Sequence, residues 1–318
     1  MSTQRSLRTT WFVLSASLLS LLFSALLPFT AGAAPASQPR TWHAVVAIEN
    51  KSQSIQGMAF LPQSLWINVG DTVVWTAKAG DIHTVTFLKP GQQLPVFDPN
   101  DPLQILPQGG STYDGVSYFS SGLIANFPGL PGGEGYKLTF GVTGDFTYHC
   151  LVHPSMVGVI HVRAAGTPYP HSQDFYDRQI EHKTDVLLHI GQKLTDQAAD
   201  ESSNLNVTLG IGNGKVSVVR FFPQDIVIHV GQTITFTNRD IMEPHTVTFG
   251  QSTLNDFAPY GNPAAFDGSA PLNSGFLGAD PLWFGKTYKV TFTKAGSYAF
   301  RCDLHDYLGM LATIVVLP

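Results

Sequence analysis

Charge and cysteine are both scarce in this chain. Lys, Arg, Asp and Glu together make up 13% of its 318 residues, and only two cysteines occur. The net charge of −5 offers no basic face to a nucleic-acid backbone, so a nucleic-acid partner is excluded. No His-x-His pair occurs anywhere, and no Ser-His-Asp set or phosphate-binding loop is apparent. What replaces charge is 30 Gly, 21 Pro and a 43% apolar fraction. That composition points to short strands joined by turns rather than to helical bundles.

A long apolar run occurs at the N-terminus. Arg5 and Arg8 precede an apolar stretch from Trp11 to Phe29, and Ala31-Gly32-Ala33 follows as a small-residue cleavage pattern. This layout predicts a signal peptide over 1–33 and export to the periplasm or the extracellular space. Left uncleaved, the same run nearly spans a bilayer and would anchor the chain in the membrane. Cleavage removes two Arg and no acid, which takes the net charge from −5 to about −7.

The rest of the chain repeats itself. "FLPQSLWINVGDTVVWT" (60–76) matches "FFPQDIVIHVGQTITFT" (221–237), and "HTVTF" recurs at 83–87 and 245–249. "YKLTF" (136–140) matches "YKVTF" (288–292), and Cys150 falls opposite Cys302. Apolar and polar residues alternate around Gly-containing turns in both copies, as in half-buried strands. Copies of this length made of short strands imply two tandem β-sandwiches. The first copy carries an additional Pro- and Gly-rich stretch (90–110), read as a surface loop. Between the copies, Tyr176, Ile180, Leu187, Ile190, Leu194 and Ala198 recur at helical spacing behind Ser172, a capping residue. That predicts an amphipathic helix over about 172–200, laid against one sandwich, with Gly191 weakening its middle and His182 and His189 at its surface. The expected organisation is a leader (1–33), a first domain (40–165), a helical linker (166–203) and a second domain (204–318).

Each copy carries the same reactive side chains: His83, Cys150, His153 and Met156 in the first, and His245, Cys302, His305 and Met310 in the second. The first His lies just ahead of a strand, and the other three share one loop between two strands. Such a set can converge at one end of a sandwich. Two imidazoles and a thiolate in a plane, with a weak axial thioether, form the ligand set of a blue-copper electron-transfer centre. Two cysteines in an exported chain ordinarily suggest a disulfide. Here they occupy equivalent places in two separate repeats, and a disulfide leaves the His and Met spacing unexplained.

Both copies resemble cupredoxins, the plastocyanin-like family. Cys302, His305 and Met310 (C-x2-H-x4-M) are similar to the plastocyanin spacing, and Cys150, His153 and Met156 (C-x2-H-x2-M) to that of amicyanin. The resemblance covers both repeats and implies an all-β, Greek-key cupredoxin fold in each, with one type 1 copper per domain. It further implies that His153 and His305 lie nearest the surface, where electrons pass to and from redox protein partners. One departure stands out: family members commonly carry Asn after the first His ligand, and here Thr84 and Thr246 take that place. A Thr hydroxyl is still able to tie the two ligand loops together.

The function expected is therefore single-electron transfer between redox partners. A copper-holding or delivery protein is the alternative. An enzyme is disfavoured: laccase-like oxidases need paired His-x-His motifs, and nitrite reductases, which share a His such as His149 before the Cys, also need a His where this chain has Leu88. His149 and Arg301 adjoin the two cysteines and are candidate electron conduits. Asp303 and Asp306 beside His305 suggest that the second site docks the more basic partner.

Overall fold

A computed structural model describes residues 38–252, 258–279 and 284–318. The expected leader, 1–33, lies outside the described residues. Two β-sandwiches of matching topology follow, with one long helix between them in sequence. In the first, Thr41–Glu49 runs parallel to Thr72–Ala77 and antiparallel to Ile55–Leu61, while a second sheet pairs Ser64–Asn68, Val157–Arg163 and Gly144–His149. The second half repeats this with Asn206–Gly212, Thr233–Arg239 and Val216–Phe222 in one sheet, and Asp225–His229, Leu311–Leu317 and Gly296–Arg301 in the other.

Aromatic side chains fill both cores. Trp75, Phe87, Phe140 and Tyr148 pack edge-on or tilted in the first; in the second Phe249, Phe266 and Phe292 do so, and Phe300 stacks on Phe249. Such rings bury large apolar areas, and each core is continuous with its buried cysteine. The additional stretch of the first half is mostly irregular but contains a short helix, Pro102–Ile105, capped by Asp101.

The halves are joined rather than merely tethered. Ile55–Leu61 pairs antiparallel with Val216–Phe222 (Val216↔Gly57, Ser217↔Gln56, Val218↔Ile55), so one nine-stranded sheet runs through both sandwiches. These strands are buried on both faces, unlike alternating strands such as Thr72–Ala77 and Thr233–Arg239. The helix Gln173–Asp200, capped by the Ser172 hydroxyl, lies over this joint. Its Leu187 and Ala198 pack with Ile48, Ile55 and Leu61 of one half and Ile211, Val216 and Val218 of the other. It therefore bears on both sandwiches, not on one as its periodicity alone suggested. His182 and His189 are exposed on its outer side. No helix among the described residues is long and apolar enough to cross a membrane.

Gly191 has a packing reason. A Cβ there would be driven into the Ile55 side chain, so the helix reaches the joint only because this residue has none. Replacing Gly191 with Leu should destabilise the protein by about 1–3 kcal/mol through overpacking. Denaturant unfolding measures this; a variant as stable as the parent contradicts the tight helix–strand contact.

Candidate metal centres

In each half three donors meet. Cys150 Sγ lies 3.8 Å from His83 Nδ1 and 3.8 Å from His153 Nδ1, and the two nitrogens are 3.0 Å apart. In the second half Cys302 Sγ lies 3.7 Å from His245 Nδ1 and 3.5 Å from His305 Nδ1, with 3.1 Å between the nitrogens. All six side chains are buried. A first-row ion about 2.0 Å from each nitrogen and about 2.3 Å from the sulfur, lying in their plane, requires about 3.7 Å between N and S and about 3.5 Å between the nitrogens. The sulfur distances match, and the nitrogen pairs need to open by only about half an ångström. The donor set, one soft thiolate and two imidazoles, suits copper in either oxidation state.

The local fold explains the convergence. His83 and His245 are held by backbone bridges to Ile124 and Leu277. The cysteines directly follow the strands Gly144–His149 and Gly296–Arg301, and the loop that they open returns to the outer strand. Cys150 N–H donates to the Met156 carbonyl and Cys302 N–H to the Met310 carbonyl, each at 3.1 Å. Both methionines are thus pinned beside the cysteine and buried, as an axial ligand must be. The longer second loop is accommodated by a 3-10 turn, Asp306–Leu308, closed by Gly309 at φ 87°. That left-handed backbone favours glycine.

Thr84 and Thr246 do the tying expected of them. Thr84 Oγ1 accepts from Leu151 N–H and Thr246 Oγ1 from Asp303 N–H, both at 2.9 Å. The N–H groups of the same two threonines point at the sulfurs, each at 3.4 Å. Cys150 Sγ accepts a second N–H, from His153 at 3.4 Å, whereas the His305 N–H goes to the Cys302 carbonyl instead.

The expectation that His153 and His305 lie nearest the surface is overturned. They are 1% and 3% exposed, each covered by the opposite half. Their Nε2 atoms converge on one carboxylate: Glu243 Oε1 is 2.6 Å from His153, and Glu243 Oε2 is 3.6 Å from His305. Asp81 Oδ2 is 3.5 Å from His153 Nε2. Asp81, Glu243 and His305 bring one ligand atom each within 4.8 Å of one another, a further cluster buried between the halves. Asp81 precedes His83 by two residues and Glu243 precedes His245 by two, so the acids are themselves a repeat. "DIH" and "EPH" carried that signal, which sequence reasoning missed because neither acid pairs with anything near it in the chain.

The halves also grip each other's loops. Ser155 Oγ donates to the Gly214 carbonyl at 2.8 Å, and Tyr307 packs edge-on against Phe127. Asp303 and Asp306 do not form a free acidic patch, because Arg301 sits 2.9 and 3.5 Å from them. His149 is half-buried, and burial lowers its pKa. His161 stacks on Trp66 and meets Asp145 at 2.6 Å, a structural role.

Charges in the joint set the protonation of the donors. Burial alone would push His153 down, but Glu243, Asp81 and the Cys150 sulfur outweigh it and hold it well above the ordinary imidazole value. His305 is likewise raised against its burial, by Cys302 and Glu243. Burial and the nearby His153 push His83 well below that value. Burial would raise the Cys302 thiol, yet His305 and His245 bring it down to about 5. Glu243, flanked by the two rings, is held well below the carboxylate range despite its burial. Burial and the neighbouring Glu243 raise Asp81 to about 6.

These directions have a consequence for metal binding. At neutral pH the metal-free protein carries His153 and His305 as imidazolium, and each must release a proton before its Nδ1 can ligate. Affinity should therefore rise with pH until the raised His values are passed, and level off above them. Calorimetric titration with zinc, a redox-inert probe, in buffers of different ionisation enthalpy should show protons released on binding. Binding enthalpies independent of buffer would contradict this.

The profile of the copper binding proteins of the plastocyanin/azurin family matches residues 46–163 and 205–317. Plastocyanin of Mercurialis perennis is 32% identical over 113 residues, covering 35% of this chain and 99% of that protein. Chloroplastic plastocyanin of Chlamydomonas reinhardtii is 28% identical over 114 residues, covering 36% of this chain and 68% of that protein. Among solved structures, an amicyanin variant in its Cu(I) form is 24% identical, covering 37% of this chain and 89% of its own, with a TM-score of 0.25.

Proposed function

Since this chain belongs to the copper-binding plastocyanin/azurin family, we propose that it is an exported type 1 copper protein that carries single electrons between redox protein partners. Each half holds one copper. His83, Cys150, His153 and Met156 would hold the first copper, and His245, Cys302, His305 and Met310 the second. The observation that carries this reading is the pair of buried Sγ–Nδ1–Nδ1 triangles. Copper supplies one-electron chemistry, and everything else is the work of the chain. The sandwich ends hold the donors in one arrangement, so little moves when the charge on the centre changes. The buried surroundings exclude water, and the threonine hydroxyls lock the ligand loops together.

Electron entry needs a different route from the one the family resemblance implies, because His153 and His305 are covered. The strands leading to the cysteines end in His149 and Arg301, each bonded directly to its cysteine and each partly exposed. These two residues are the proposed contact points for partners. The delivery alternative is less well supported, since ligand loops clamped between two halves do not favour ready metal release. An enzyme is not supported: the His-x-His pairs of a three-copper oxygen site are missing from the sequence.

The test is metal analysis with a visible spectrum. The copper-loaded protein should be intensely coloured by thiolate-to-copper charge transfer and should hold one copper per half. Cys150→Ser and Cys302→Ser should each remove one copper's share of the colour, and the double variant should be colourless. Colour that survives both substitutions would contradict the assignment.

A further inference from the structure

We propose that the two centres act as one coupled pair inside a single chain, with the Glu243 carboxylate bridging His153 to His305 and electrons running from the second centre to the first. This rests on the copper reading above and adds to it a partner for each centre, namely the other.

The geometry is specific. In each of these two rings Nδ1 faces the cysteine sulfur and Nε2 faces Glu243, so one ring edge serves the centre and the opposite edge serves the bridge. Glu243 uses a different oxygen for each ring, at 2.6 and 3.6 Å. It comes from the second half, yet makes its shorter contact with a ligand of the first. A ligating imidazole ordinarily directs its other N–H to a carboxylate, which fixes the ring's orientation. Here one carboxylate lies between two rings belonging to two centres, within hydrogen-bond distance of the His153 Nε2 and 3.6 Å from that of His305. Asp81, its counterpart from the other repeat, is shorter by one methylene; it lies 3.5 Å from His153 Nε2 and within 4.8 Å of the His305 donor. All four groups are buried, so the space between the centres is occupied by protein rather than bulk water.

The transfer itself balances simply. One electron leaves the second centre, which goes from Cu(I) to Cu(II), and enters the first, which goes from Cu(II) to Cu(I). No bond is made or broken, and each Nε2 keeps its proton.

The direction follows from the sulfurs. Hydrogen bonds to the cysteine sulfur draw electron density from the metal and favour its reduced form. Cys150 receives two backbone N–H groups, from Thr84 and His153, and Cys302 receives one, from Thr246. This additional hydrogen bond makes the first centre the better electron acceptor.

The experiment uses the copper-loaded full chain. Electron paramagnetic resonance of the fully oxidised protein should show the two spins broadening each other, beyond the sum of the single-centre spectra of Cys150→Ser and Cys302→Ser. On one-electron reduction, the signal of the first centre should vanish first. After rapid reduction by a radiolytic pulse, Glu243→Leu should slow equilibration between the centres about tenfold or more, while Glu243→Gln, which keeps a bridge of the same length, should slow it far less. Two copper centres that bind and colour normally but give a simple sum of spectra would overturn the pairing and leave the copper assignment standing. Reduction of the second centre first would overturn the direction. Colourless protein would instead remove the copper reading on which the proposal rests.

Discussion

The antiparallel pairing of Ile55–Leu61 with Val216–Phe222 is the constraint on which the rest of the arrangement depends. Backbone hydrogen bonds across this seam leave little freedom of rotation between the halves, and the helix Gln173–Asp200 covers it with apolar side chains from one end to the other. With the seam in place, the ligand-bearing end of one sandwich can only face that of the other. His153 and His305, which an isolated domain would expose, become the two walls of a buried polar joint.

Such a joint is costly unless its polar groups are paired. Glu243 offsets that cost by lying between the two imidazoles, and ionised Glu243 and raised histidines are two aspects of one interaction. Copper thiolate centres carry more positive charge when oxidised than when reduced, so buried carboxylates beside them favour the oxidised state of both. The joint is therefore structural cement and electrostatic tuning together. Against this shared background the two centres differ in detail: two N–H groups on one sulfur against one on the other, Leu151 against Asp303, and a shorter against a longer methionine loop. Duplication supplied the pair, and these small departures make its members unequal.

Much of this was legible in the sequence. The repeated strands, the linker helix with its Ser172 cap and the recurrence of His, Cys, His and Met all depend on spacing within a few residues or on self-similarity, which a linear text preserves. Thr84 and Thr246 were readable for the same reason. The facing of the halves was not. It depends on which strand edges meet, and nothing in the spacing of "IQGMAFL" or "VSVVRFF" marks them as partners across the halves. Only the structure shows that both strands are buried almost throughout. Gly191 read as a weakness of the helix until its neighbour Ile55 was known. Asp81 and Glu243 were visible as acids two residues before a histidine, but their partners lie in the opposite half or in a distant loop, where no pattern of spacing leads.

The central claim is that one thiolate and two imidazoles gather a single ion in each half, and that the two ions face each other across Glu243. Anomalous diffraction at the copper absorption edge, from crystals of the copper-loaded chain, tests it most directly. The account predicts two peaks, one within the Cys150–His83–His153 triangle and one within the Cys302–His245–His305 triangle, with the Glu243 carboxylate between them. A peak away from either triangle, or rings of His153 and His305 turned outward to solvent, would contradict it.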